Sequence, residues 1–299
     1  MSTGEDNADW VRLAGTATGT GWDVDITDGI PGWAHTGLLI ATLAAGEERV
    51  IDLGAREAIV IPLAGGVHVR AERAGVVDQA ELAGRESVWA GASDAAYVPT
   101  GSILTLTGTG PARIAICLAA DATAAPAPPF RHLPASEVPV ELRGAGIASR
   151  QVRNFGVPGV LDANRMIACE VITLAGNWSS WPPHKHDTER PGVESELEEI
   201  YYFQTRSTEA RGTDPIGYQR VYGAADRPID VLAEVRTDDV VLVPHGWHGP
   251  AVAAPDADLY YLNVMAGPGP ERAWLICDDP AHAWVRETWA TQPADPRLT

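Results

Sequence analysis

Apolar residues in this chain come in short runs, each bounded by glycine, proline or aspartate. In the first half the runs cover residues 37–43, 58–63, 67–72, 97–99, 103–107 and 113–118. In the second half they cover 149–155, 166–174, 200–204, 217–222, 230–235, 240–243 and 259–265. Runs of this length, closed by turn residues, predict the strands of a sandwich or barrel, so the expected class is all-β. Between the two series, residues 121–130 are rich in alanine and proline and predict an extended connector. The expected organisation is a first barrel over 1–125, a connector over 126–148, and a second barrel with a tail over 149–299. The tail begins near residue 272 and carries Trp274, Trp284 and Trp289 in a more polar setting. A short helix packed back on the second barrel is expected there.

The two halves read as faint repeats. Residues 88–102 and 240–248 each hold a β run followed by Pro-x-Gly. In the first half that turn is Pro99-Thr100-Gly101, and no histidine follows it. His68 is the one histidine on a first-half run, without a second two residues away. The first barrel is therefore expected to keep the architecture and lack a metal site.

Composition narrows the function. The 299 residues are 45% hydrophobic, enough for a substantial core, and the 30 glycines and 23 prolines suit a turn-rich β protein. A formal charge of −18 argues against nucleic acid and anionic membranes as partners, because phosphate would be repelled. A small anionic substrate would then need a local positive centre. Cys117, Cys169 and Cys277 are scattered and odd in number, which indicates neither a disulfide framework nor a zinc knuckle. The polar, acidic N-terminus lacks the features of a signal peptide, and no apolar stretch is long enough to span a bilayer. The expected compartment is the cytoplasm. Open β edges make a homo-oligomer the expected assembly.

The candidate chemistry sits in the second half. His184 and His186 end the run Gly-Asn-Trp-Ser-Ser-Trp-Pro-Pro-His-Lys-His. In an extended chain, positions i and i+2 share a face, so both imidazoles can enter one cavity while Lys185 points away. A His-x-His pair on a strand is half of a metal site. Downstream, Glu-Leu-Glu-Glu-Ile-Tyr-Tyr-Phe (196–203) predicts a strand with carboxylates at its mouth. Further on, a buried β run leads into Pro244-His245-Gly246-Trp247-His248. Three histidines and one carboxylate from separate strands make a divalent cation site with positions open for substrate. Glu194, Glu196, Glu198 and Glu199 compete as the carboxylate, and His245 rivals His248.

This ordered set resembles the cupin superfamily signature. The longer strings 176–187, 196–202, 218–222 and 259–268 resemble the 5-deoxy-glucuronate isomerases of inositol breakdown, densely over 149–274 and loosely before it. Those enzymes are similar to the 4-deoxy-threo-hexosulose-uronate ketol-isomerases, which have a bicupin fold and a divalent metal. The resemblance implies two tandem cupin barrels and isomerisation of 5-deoxy-D-glucuronate to 2-deoxy-5-keto-D-gluconate. It also implies one divalent ion held by His184, His186, Glu199 and His248, with Glu199 preferred because it stands just before the aromatic run. Zn, Mn, Fe, Co and Ni all suit such a set. Two departures stand out: twelve residues separate His186 from Glu199, and the turn before His248 is one residue short of the cupin signature.

An aldose–ketose isomerase moves one proton between adjacent carbons and another between their oxygens. A Lewis-acid metal stabilises the enediolate charge that develops between those steps. The base near the acidic carbon is expected to be Glu196, Glu198 or a metal-held hydroxide. Arg220, if inward, would grip the substrate carboxylate as a fork. Tyr201, Tyr261 and Asn263 are candidates for contacts to sugar hydroxyls. Two other classes compete: a cupin dioxygenase, since histidine-rich iron sites bind oxygen, and a non-catalytic sugar-binding bicupin.

Overall fold

The computed structural model describes residues 4–27, 29–121, 126–209, 214–224 and 226–298. The expected boundary at residue 125 lies outside the described residues. Two antiparallel β units stack face to face. The first is a nine-stranded sheet folded on itself. Its interfacial face carries Thr36–Leu43, Ala112–Ala120 and the first part of Arg56–Arg73. The second unit is built from a seven-stranded and a six-stranded sheet. The seven-stranded sheet centres on Glu198–Ser207, Ala257–Ala266 and Ile167–Thr173. The six-stranded sheet contains Gly217–Ala224, Trp247–Ala253 and His184–Lys185.

Strand parity explains why several runs look apolar at every position. Ala58 and Val60 fill the interior of the first unit, while Ile59 and Ile61 face the second unit. Likewise Tyr201 and Phe203 fill the second interior, while Ile200 and Tyr202 face the first. A strand with core on both faces loses the polar alternation of a half-exposed strand. The molecule thus has three apolar layers: one inside each unit and one between them.

Two of the expected strands are one. Residues 58–63 and 67–72 belong to the single strand Arg56–Arg73. It bends near Gly65-Gly66: its register with Val76–Arg85 shifts between Gly65 and Val67, and its register with Ala112–Ala120 shifts between Pro62 and Ala64. A Cβ at Gly65, whose φ is +68°, would lie 2.2 Å from the Pro111 carbonyl oxygen. Only glycine fits a chain that turns this tightly against another backbone.

The stretch expected as a connector is stitched into both units. Arg131–Leu133 pairs with Ala95–Val98 of the first sheet, and Val140–Arg143 pairs with Arg150–Arg153 of the second. The N-terminal segment also crosses over: Val11 and Arg12 pair with Val241 and Val240. The tail carries the short helix Val285–Thr288. It is pinned where the Asp295 backbone N–H donates to Ser149 Oγ (2.9 Å) and Asn177 donates to the Asp295 carboxylate (2.9 Å).

Candidate metal centre and its cavity

His184, His186 and His248 converge inside the second barrel. His184 and His248 are direct cross-strand partners. His186 lies just beyond the strand His184–Lys185, and the Leu197 backbone N–H donates to its carbonyl at 2.8 Å. Lys185 turns away and donates to Asp187 and Glu194 (2.5 and 2.6 Å). One ring nitrogen from each histidine lies within 4.8 Å of the other two, and all three side chains are buried. Gly246 makes the turn that delivers His248. Its φ is +91°, and its N–H donates to Asp187 (2.8 Å). His245 is half-buried and does not join the cluster.

Glu199 closes the site from the strand Glu198–Ser207. Its Oε2 is 3.1 Å from His186 Nε2 and 3.0 Å from His248 Nε2. The Nδ1 atoms of His186 and His248 lie 3.2 and 3.1 Å from the carbonyls of Leu197 and Gly246. A carbonyl only accepts, so each Nδ1 carries the proton and each Nε2 presents a lone pair. Lone pairs facing a carboxylate at 3 Å need a cation between them. His248 Nε2 and His184 Nδ1 are in fact buried without a hydrogen-bond partner. Such orphaned nitrogens are costly unless a cation takes them, and neutral imidazoles with one carboxylate are the donor set a divalent transition metal prefers. The residues present therefore fit a metal ion.

Electrostatics agree. Burial, with repulsion from His248 and His186, pushes His184 well below the usual histidine range, so it stays neutral and able to ligate. Burial also opposes charge on His186, but the Glu199 carboxylate beside it outweighs burial and the net shift is upward, so this corner of the site favours positive charge next to Glu199. For Glu199 burial works against ionisation, yet His186 and His248 prevail and hold it at about 2.

A cavity of about 490 Å³ opens onto this cluster. His184, Glu199, Tyr201, Tyr261 and Asn263 line it, as does Ser180. Ser180 Oγ sits 3.2 Å from the Tyr201 hydroxyl and 3.3 Å from that of Tyr261. Burial raises the pKa of both phenols, so they stay protonated. Tail and edge residues form the outer wall: Arg143, Arg150, Trp274, Arg286 and Trp289.

Three expected residues lie elsewhere. Glu198 is one strand position from Glu199 and so faces the opposite side, between the barrels. There it accepts the backbone N–H groups of Ala34, His35 and Thr36 (2.7, 2.7 and 3.2 Å). Glu196 sits on the hairpin that pairs it with Asp187, beside a separate groove shared with His35 and Arg227. Arg220 points outward, because its neighbours Gln219 and Val221 are the buried ones. It donates to Asp230 and to the carbonyls of Val221 and Val231 (2.6, 2.7 and 2.6 Å). None of the three lines the cavity. The arginines that do line it, with Trp289, carried no motif, and Ser180 stood inside the Gly-Asn-Trp-Ser-Ser-Trp run without a role of its own. Their one sequence signal was positive charge and tryptophan held close to the second barrel in an acidic chain.

Residues 10–285 match the family model described as the KduI/IolB family. The chain is 38% identical over 271 residues to a 5-deoxy-glucuronate isomerase of Geobacillus kaustophilus strain HTA426, covering 89% of this chain and 91% of that one. It superposes on the crystal structure of an IolB-like protein from Salmonella typhimurium LT2 with a TM-score of 0.81 and 32% identity, over 93% and 99% of the two chains. It also superposes on an oxalate decarboxylase of Lactobacillus farciminis with a TM-score of 0.59, over 85% and 82% of the two chains. At 11% identity that likeness shows the bicupin fold alone. By the extent of these matches, the chain belongs to the KduI/IolB family.

Proposed function

We propose that this protein isomerises 5-deoxy-D-glucuronate to 2-deoxy-5-keto-D-gluconate, an aldose–ketose conversion, with one divalent ion held by His184, His186, His248 and Glu199. The observation that carries the reading is the buried histidine cluster facing Glu199 at a cavity lined by polar side chains. The relative named 5-deoxy-glucuronate isomerase supports the substrate and product. When bound, the ion supplies a Lewis acid that stabilises negative charge on the substrate's C1 and C2 oxygens.

The chain's own residues bind and orient the substrate and handle its oxygen-borne proton. Tyr201 and Tyr261, kept protonated by burial and joined through Ser180, donate hydrogen bonds to the sugar oxygens and pass the oxygen-borne proton. Asn263, whose amide donates to the Ile200 carbonyl at 3.3 Å, fixes one wall. Trp274 and Trp289 keep bulk water from the reacting carbons. Cytoplasmic residence and a homo-oligomeric state belong to the same proposal. Three free cysteines suit a reducing compartment, and exposed Ile147 and Trp284 would gain from a covering partner.

NMR of the aldehyde acid tests the proposal. Expected are conversion to the keto acid, deuterium uptake from heavy water, loss of turnover on chelation, and no oxygen consumption. A metal-replete protein that leaves the substrate unchanged would sink the reading.

A further inference from the structure

The cavity wall concentrates three guanidiniums, Arg143, Arg150 and Arg286, in a chain whose net charge is −18. Two of them have anionic partners. Arg143 Nε donates to Glu141 at 2.9 Å, and Arg286 clamps the Asp278 carboxylate with Nε and Nη2. Arg150 differs. Its residue is 8% exposed, and its side chain donates to one acceptor, the Ala148 carbonyl at 3.1 Å. Among the described residues no carboxylate pairs with it. The Trp289 ring, 5.8 Å away, accommodates the charge but accepts none of the remaining N–H groups. Burial, eased by Tyr261 but reinforced by Arg143 and Arg286, lowers its pKa to about 10.

A guanidinium carries five donors in a planar fork that matches a carboxylate. Burying that fork among other cations, with one carbonyl for company, is costly unless an anion completes it. Arg150 stands close enough to the histidine cluster that its charge disfavours protonation of His184. The cavity therefore has a metal-ligating end and an anion-seeking end. A linear sugar acid has the matching ends: a carbonyl with its adjacent hydroxyl, and a carboxylate.

We propose that Arg150 anchors the substrate carboxylate and makes the cavity selective for sugar acids over neutral aldoses. The proposal rests on the isomerase reading of this same site. It assigns to Arg150 the role that Arg220, turned outward and paired with Asp230, does not fill. The carboxylate docks in the fork and holds C1 and C2 at the histidine end. A neutral sugar leaves the guanidinium unpaired and is rejected.

The test uses the full-length, metal-loaded protein and the variants Arg150→Gln and Arg150→Lys. Steady-state kinetics are measured on 5-deoxy-D-glucuronate and on neutral 5-deoxy-D-glucose. Calorimetry follows binding of D-gluconate, a sugar acid without an aldehyde. In Arg150→Gln, KM for the acid should rise about 100-fold or more, gluconate binding should vanish, and bound metal should be unchanged. The wild-type preference for acid over neutral sugar should collapse. Arg150→Lys keeps the charge but loses the fork, so KM should rise about tenfold; that variant decides if the glutamine variant does not fold. Unchanged KM and gluconate affinity in a folded, metal-loaded variant would overturn the proposal. Wild type that binds gluconate through Arg150 yet isomerises nothing would overturn the isomerase reading and leave the anion site standing.

Discussion

Glu57 and Glu198 reach across the barrel interface in opposite directions and do the same job. The Glu57 carboxylate accepts the backbone N–H groups of Asn164, Arg165 and Met166 at 2.8, 2.7 and 2.7 Å, just before the strand Ile167–Thr173. Glu198 accepts those of Ala34, His35 and Thr36, where the strand Thr36–Leu43 begins. Each carboxylate thus caps the chain as it enters a core strand of the other barrel. The next residue on each strand points into its own barrel: Ala58 in the first, Glu199 in the second. The two halves share the latch and differ at the position that would ligate a metal.

Glu198→Ala should therefore act on stability. It leaves three backbone donors without their acceptor, at a cost of about 3 kcal/mol or more. Urea unfolding should show a lower midpoint, with kcat and bound metal per folded molecule nearly unchanged. A Glu198→Ala protein of full stability that has lost turnover would mean that Glu198 serves the chemistry instead.

Parity reasoning accounts for what could be read from the sequence and what could not. His184 and His186, two apart, join one cluster, and Lys185 between them does not, as alternation requires. The same rule separates Glu199 from Glu198 and Gln219 from Arg220, but it needs to know which face is inside. In Glu198–Ser207 both faces are buried, so hydrophobicity alone left the choice open. Arg150 was hidden for another reason. Its role depends on Arg143, Arg286 and Trp289 meeting it from distant segments, a tertiary fact without a local pattern. The Ala/Pro stretch 121–130 suggested an extended connector, and composition could not show that the residues after it, on either side of Pro134, pair with different sheets.

Arg220→Ala should be nearly silent in catalysis. Its partners are Asp230 and two carbonyls outside the cavity, and the ion pair is partly exposed on both sides. Such pairs contribute about 1 kcal/mol or less. Thermal melts should show a small decrease, and kcat/KM should stay within about twofold. A large rise in KM for the sugar acid would return Arg220 to the site.

Removal of any one histidine of the cluster should release the metal. His248→Ala deletes a cross-strand partner of His184 as well as a donor. Metal affinity should fall by more than about 100-fold, beyond the loss typical of removing an outer-shell partner. Because the ion binds the folded chain, saturating metal should also raise the melting temperature of wild type. At about 100-fold excess over Kd the gain is roughly 2.7 kcal/mol, and chelator should abolish it. In His248→Ala the same metal addition should produce little shift. Equal metal-induced stabilisation of both proteins would show that the ion binds elsewhere.

The tail supplies the last prediction. Asp295 ties it down through Asn177 and Arg297, and Trp289, six residues upstream, forms part of the cavity wall. Arg297 beside Asp295 holds its carboxyl well below the usual carboxylate range, against a smaller opposing effect of burial. A folded pKa below the unfolded one means that the stabilisation is present above about pH 4 and fades as pH falls toward the folded value. The Arg297 side chain is 51% exposed, so the contribution is about 1 kcal/mol at most. Asp295→Asn should then melt slightly below wild type at pH 7, and the gap should narrow below pH 4. Loosening the tail should also let Trp289 move, raising KM several-fold while bound metal stays constant. Limited proteolysis would report the same loosening as faster cleavage within 285–298. A variant cut no faster than wild type, with KM unchanged, would show that the wall holds without this tether.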